Sequence, residues 1–233
     1  MKNPSVAPAI TANRQLAQQT FFSKVFGWMF FGLMLTAVIS AYFASQQDML
    51  KFFNENPMYL FAALGIEWII VFVMILAIKK ISATVATFLF ILYAALNGFT
   101  MSMIISIYTT GSIASAFAIT AGMFGAMALY GYATKKDLSS WGSVLIMALI
   151  GFLIASIVNI FFYNETIYWI LSGLGIVIFC GLTAYHMNRL KKISHASMSE
   201  EQRNKSAIIG ALSLYLDFIN LFCLILRFVG NAR

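Results

Sequence analysis

Seven separate stretches of this chain are each long and apolar enough to cross a lipid bilayer, and that pattern restricts the fold more than any other feature of the sequence. A hydrocarbon core about 30 Å thick needs roughly 20 apolar residues per helix. The stretches are Val25–Ser45, Met58–Ile78, Ala83–Tyr108, Ser112–Thr134, Trp141–Tyr163, Thr166–Met187 and Ala207–Val229. In lipid every backbone N–H and C=O must be satisfied within the protein, so such stretches become helices. The composition agrees: 61% of residues are hydrophobic and 10% charged, against roughly half and a quarter in a soluble domain. Disorder is excluded because a chain that is 15% aromatic buries ample apolar surface to fold. The expected class is all-α, a polytopic membrane protein with seven transmembrane helices.

The expected organisation is a flexible tail over 1–24, a seven-helix region over 25–229 and a short end over 230–233. The tail carries Pro4, Pro8 and a polar Gln/Ala/Thr-rich stretch, and no secretory signal precedes the first span. Thr109–Gly111, between the third and fourth spans, reads as a tight turn. The net charge of +7 does not point to nucleic acid, because the basic residues lie between apolar runs and form no patch. Counted by loop, twelve Lys and Arg fall on one side of the membrane: Lys2, Arg14, Lys24, Lys79, Lys80, Lys135, Lys136, Arg189, Lys191, Lys192, Arg203 and Lys205. Only Lys51, Arg227 and Arg233 fall on the other. The excess of positive charge on cytoplasmic loops predicts a cytoplasmic N-terminus and an external C-terminus.

Ionisable groups inside spans are costly and commonly functional. Three lie there: Glu67 in the second span, His186 at the end of the sixth and Asp217 well inside the seventh. Ser213, Asp217 and Asn220 share one helical face, with Gly210 a turn earlier. Such a stripe avoids lipid, and Asp217 is the candidate ion or proton site; a structural carboxylate tying helices together is the alternative. Arg227, near a span end, reads as a snorkelling anchor. Ala118/Gly122/Ala126, Ala121/Gly125 and Gly151/Ala155/Asn159 read as close-packing faces, and Asn97 as interhelical glue. The thirteen Met read as core filler.

An enzyme is not expected. No span interior holds the lysine a retinal pump needs, and only Asp217 could serve an aspartyl dyad that requires two buried aspartates. No exposed glycine-flanked serine accompanies a histidine, two histidines and two cysteines are too few for zinc hydrolysis, and phosphate-cradling glycine motifs are absent. Cys180 and Cys223 sit in apolar runs and cannot build a disulfide framework.

The run GALSLYLDFINLF over Gly210–Phe222, followed by Leu226, Arg227 and Gly230, resembles the C-terminal signature of the Bax inhibitor-1 family, also called transmembrane Bax inhibitor motif proteins, in its bacterial branch. FGAMALYGY over Phe124–Tyr132, with Lys135, Lys136, Asp137 and Leu138, and GLTAY over Gly181–Tyr185 extend the likeness. The resemblance implies a seven-helix fold with the last helix central in the bundle. It implies a pH-sensitive calcium leak in a bacterial inner membrane, with no cofactor other than Ca²⁺ as bound or transported ion. It further implies two hydrogen-bonded aspartates on the last two helices and a basic latch from the end of the second. Asp217 matches the last-helix aspartate and becomes the candidate metal ligand, Lys79 or Lys80 the latch, and Glu67 an acidic second-helix position.

One departure matters: His186 stands where the family has its second aspartate. Calcium prefers several hard oxygen ligands, so imidazole weakens a calcium site, while a His–Asp pair still senses pH. With the seventh span starting at Ala207, His186 lies near the surface and Asp217 near mid-membrane. They can pair only if a vestibule reaches Asp217, if that span starts later, or if Glu200–Ser206 extends it as a helix and makes Asp217 shallower. Two functions stay open: a cation leak or exchanger using Asp217, and a regulatory membrane protein that engages a membrane protease through its N-terminal tail or suppresses cell death. The lipid bilayer is the partner common to both.

Overall fold

The structure, a computed structural model, describes residues 6–77 and 80–231, with side chains from Gln15 onward. The described residues form eight helices: α1 (Val6–Ser45), α2 (Gln47–Glu55), α3 (Pro57–Leu76), α4 (Ala83–Ile107), α5 (Thr110–Ala133), α6 (Ser139–Phe161), α7 (Glu165–Ser194) and α8 (Glu200–Val229). All but α2 are long and apolar enough to cross a membrane. They carry many exposed large apolar side chains, such as Phe30, Ile69, Met147, Phe161 and Val177. Such surface is a liability in water and ordinary in lipid.

Local chemistry sets the helix boundaries. Pro57 opens α3, at the position where its missing N–H costs nothing. Thr109 caps α5 by accepting from the Ser112 amide at 3.2 Å, so the turn falls at Tyr108–Thr109, earlier than expected. Asn164 Oδ1 accepts from the Ile167 amide at 3.0 Å in the first turn of α7. Ser199 and Gln202 form a reciprocal capping box, with Gln202 N donating to Ser199 Oγ at 3.2 Å and Ser199 N donating to Gln202 Oε1 at 3.1 Å. That box starts α8 at Glu200, seven residues before Ala207, which realises the expected extension through Glu200–Ser206. α7 also runs on past Met187 to Ser194.

The chain divides into two compact units. One comprises the chain up to Ser106 together with Lys192–Leu212; the other comprises Ile107–Lys191 and the segment from Ser213 onward. Both draw on α8, the most buried of the spans. In the first unit Trp28 meets the Phe90 ring edge-on at 6.4 Å, and Thr36 Oγ1 donates to Ala94 O at 2.9 Å. Gly98 lies against Thr36 and Ile39, where a methyl group would come within 2.9 Å of the Thr36 carbonyl oxygen. Of the expected flexible segment over 1–24, residues 1–5 lie outside the described residues. α1 is helical from Val6, the first span begins at Gln15, and Lys24 Nζ donates to Asn204 Oδ1 of α8 at 2.8 Å.

In the second unit the buried side of α5 is Ser112, Ala116, Thr120, Phe124, Ala128 and Gly131. Ala118, Gly122, Ala126 and Ala121, expected to pack helices, are exposed, Gly125 is half-buried, and a methyl group at Gly122 or Gly125 would meet nothing within 4 Å. Of the α6 set only Asn159 is buried. The close approaches occur elsewhere: Gly131 on Ala184, Gly142 on the Tyr185 ring, Gly175 on Leu224 and Phe152, and Gly181 on Leu145. Phe218 of α8 packs between Phe117 and Phe124, each ring 5.5 Å away. Past α8, the Thr109 amide donates to Asn231 O at 3.1 Å and the Asn231 amide to Ser112 Oγ at 2.8 Å.

Candidate functional site: a histidine–aspartate pair within the spans

Within the second unit His186 Nδ1 and Asp217 Oδ2 are 2.7 Å apart. At 1.5 Å per residue, His186 lies about 12 Å before the end of α7 and Asp217 about 25 Å into α8. The two distances differ by about 13 Å, so the pair meets with the first turns of α8 running on past the level at which α7 ends. Asp217 is 2% exposed. The His186 side chain is 18% exposed against 3% for that of Asp217, so imidazole is the member of the pair that the surroundings can reach.

The pair has two charge states in which the hydrogen bond survives. With neutral imidazole donating from Nδ1 to the carboxylate, its net charge is −1. With imidazolium donating, the net charge is zero. Burial of an unpaired carboxylate is strongly unfavourable, and both states avoid it. Addition of one proton therefore switches the local charge without breaking the contact that holds α7 to α8.

His186 is set within a collar. Ala184 abuts Gly131 and the Tyr185 ring abuts Gly142. Asn188, 5% exposed, donates from Nδ2 to Gly131 O and Lys136 O, both at 3.3 Å, while its Oδ1 accepts from the Leu138 amide at 3.3 Å. Lys191 Nζ donates to Tyr132 O at 2.7 Å, covering a carbonyl at the C-terminal end of α5, where cations are favoured. Four stations along Ala184–Lys191 thereby fix the stretch of α7 that carries His186 to the end of α5, the loop after it and the first turn of α6. We expect Asn188→Ala to leave the helices intact and to raise amide hydrogen exchange over 134–139 by about tenfold, the loss of one buried hydrogen bond's worth of protection. Unchanged exchange in that loop would show that Asn188 does not hold it.

Asn220 Nδ2 donates back to Leu216 O at 2.8 Å, so its donor is absorbed by its own helix. Ser213 is half-buried on the same helix. Lys79 lies outside the described residues, and Lys80 is exposed in the turn after α3. Arg227 Nη1 contacts Ser172 Oγ at 3.4 Å and its guanidinium sits 5.0 Å from the Tyr168 ring centroid, an aromatic seat for an anchoring cation. Glu67, in the first unit, accepts from Thr100 Oγ1 at 2.8 Å and Asn97 Nδ2 at 3.2 Å. Asn97 is therefore the interhelical link it was expected to be, and its partner is Glu67. Thr100, Asn188 and Lys191 were missed as partners; for the last two the available signal was a polar pair three residues apart just beyond His186.

Among the described residues no three His, Cys, Asp or Glu side chains cluster to hold a metal ion. Calcium takes six to eight oxygen ligands, and a single carboxylate beside an imidazole does not build such a cage.

The inner membrane protein YbhL of Escherichia coli K12 is 46% identical over 217 residues, covering 92% of this chain and 93% of its own. An uncharacterized protein of Borreliella burgdorferi is 44% identical over 219 residues, 94% of each chain. One from Deinococcus radiodurans is 37% identical over 231 residues, 97% of this chain and 96% of its own. The profile of the family described as inhibitor of apoptosis-promoting Bax1 matches residues 18–233. With that match spanning all seven membrane helices, the chain belongs to the Bax inhibitor family.

Proposed function

We propose that this protein is a pH-sensitive cation leak of a bacterial inner membrane, with calcium as the transported ion, and that it is not an enzyme. The observation that carries this reading is the 2.7 Å contact between His186 and Asp217 inside two membrane-spanning helices. A carboxylate at that depth attracts a cation when its partner is neutral. It attracts none when its partner is imidazolium, since the pair then has no net charge. The charge asymmetry of the loops supports a cytoplasmic N-terminus.

The charge of the pair sets the sign of the response. As the pH falls, the pair gains a proton, its charge goes from −1 to zero, and the leak declines. In proteoliposomes containing a calcium dye, influx should fall several-fold between mildly alkaline and mildly acidic buffer. A leak that rises on acidification, or that ignores pH, would remove the pair from the mechanism. The regulatory reading rested on a free N-terminal tail for a protease to grip. Helix α1 from Val6, with Arg203 Nη1 contacting Ala17 O at 3.5 Å, favours the leak over that reading.

A further inference from the structure

Among the described residues the short α2 is the one helix that does not span, and its residues sort by face. Asp48, Lys51 and Glu55 line one side with Gln47 and Asn54 flanking them, and Met49, Leu50, Phe52 and Phe53 occupy the other. The apolar side is itself split. Leu50 and Phe53 are half-buried, and the Phe53 ring meets Phe99 of α4 edge-on at 4.7 Å, with Phe43 of α1 5.2 Å from the same Phe99. Met49 and Phe52 point away and are 38% and 44% exposed. Phe52 pairs with Tyr59 at 5.4 Å.

Both ends of α2 are tethered. One residue, Gln46, separates it from α1, and one residue, Asn56, separates it from α3. A single residue reaches about 3.5 Å, so α2 cannot leave the level at which those two spans end. Its open apolar flank meets Tyr59 at the start of α3 through Phe52, and Tyr42 on the last turn of α1 and Met58 and Phe61 on the first turns of α3 are likewise exposed. That flank thus joins the exposed apolar surface at the start of α3, and Tyr, here Tyr42 and Tyr59, is among the residues enriched at the headgroup level.

We propose that α2 is an in-plane interfacial helix: its Met49–Phe52 flank is embedded in the bilayer at the headgroup–acyl boundary, and its Asp48–Lys51–Glu55 flank faces water. Phe53 clips it to α4. With two acids and one lysine on its polar side, insertion rests on apolar contact and not on attraction to anionic headgroups, unlike basic surface helices.

The test uses the full-length chain in vesicles. In a background with Cys180→Ala and Cys223→Ala, nitroxide labels are placed singly at positions 48, 49, 51, 52 and 55. Accessibility to oxygen and to a water-soluble nickel chelate is then read at each. The oxygen-to-nickel ratio should be several-fold higher at 49 and 52 than at 48, 51 and 55, in neutral phosphatidylcholine vesicles as in vesicles containing phosphatidylglycerol. Nickel access at 49 and 52 equal to that at 51 would overturn the proposal, as would a contrast that vanishes in neutral lipid. Protection of 49 and 52 from both reagents would also overturn it, and would assign the flank to a second copy of the chain. Should the cysteine-free background not fold, a benzophenone amino acid at position 52 of the otherwise unaltered chain decides the matter. Crosslinks to acyl chains sustain the proposal; crosslinks to protein, or none, refute it.

Discussion

Replacement of Asp217 by asparagine is expected to lower the calcium leak by at least about tenfold and to flatten its pH profile. The amide keeps the shape of the carboxyl and can still accept a hydrogen bond from His186 Nδ1, so the α7–α8 contact survives. What disappears is the charge. Two unit charges 4 Å apart at an effective dielectric near 20 interact by about 4 kcal/mol, far more than a tenfold change in ion occupancy requires. The comparison is influx per reconstituted protein for both chains at matched pH, with thermal unfolding in detergent as the check on folding. A folded D217N protein that leaks like wild type would end the proposed mechanism. H186D is the informative companion, because it restores the pair of hard oxygen groups that calcium favours. It should tighten calcium dependence and move the pH at which the leak responds. If neither changes, the imidazole is peripheral.

Gly131 should tolerate no side chain at all. A methyl group there would overlap the carbonyl of Ala184 and come within 2.8 Å of that residue's backbone carbon atoms. Backbone cannot step aside as a flexible side-chain tip can, so α5 and α7 would have to separate. Overpacking of this kind costs about 1–3 kcal/mol. Here it also pulls the Gly131 carbonyl away from Asn188 and disturbs the collar around His186. Gly131→Ala should lower the unfolding temperature in detergent markedly, and Gly131→Val should prevent accumulation of folded protein. Gly122→Ala and Gly125→Ala serve as controls on the same helix, since their new methyl groups meet nothing. Both should be neutral or slightly stabilising, because alanine is the better helix former. Equal behaviour of Gly131→Ala and Gly122→Ala would contradict the close approach.

The contrast between those glycines shows where sequence reading succeeds in a protein of this kind. The number of spans and the prominence of Asp217 follow from hydropathy and from the cost of a charge in lipid. Family likeness points to His186 as its counterpart, but sequence alone leaves open whether the two meet, because the expected boundaries put them at different depths. Which face of α5 is buried does not follow, because in a bilayer the lipid-facing side is as apolar as the core. The Ala118/Gly122/Ala126 spacing resembles a packing seam, yet those residues are exposed, and the seam runs through Ala116, Thr120 and Phe124. The start of α8 was legible in principle: Ser199 and Gln202 carry a capping-box spacing. A hydropathy window discards that signal, because the first turns of the helix are polar. The α2 helix was missed for the same reason. The partners of Glu67 lie some thirty residues away in sequence, and no local pattern announces such a pairing.

The way α8 is shared has a consequence for biosynthesis. Neither compact unit is continuous in sequence, and each needs part of the same 30-residue helix. Domains commonly fold one after another, N-terminal first, as the chain leaves the ribosome. That order is closed to this protein: six membrane spans must be held in the bilayer, unfinished, until the last is inserted. The helix that completes them also brings Asp217, so the acid reaches its histidine only when the second unit is completed by the last span.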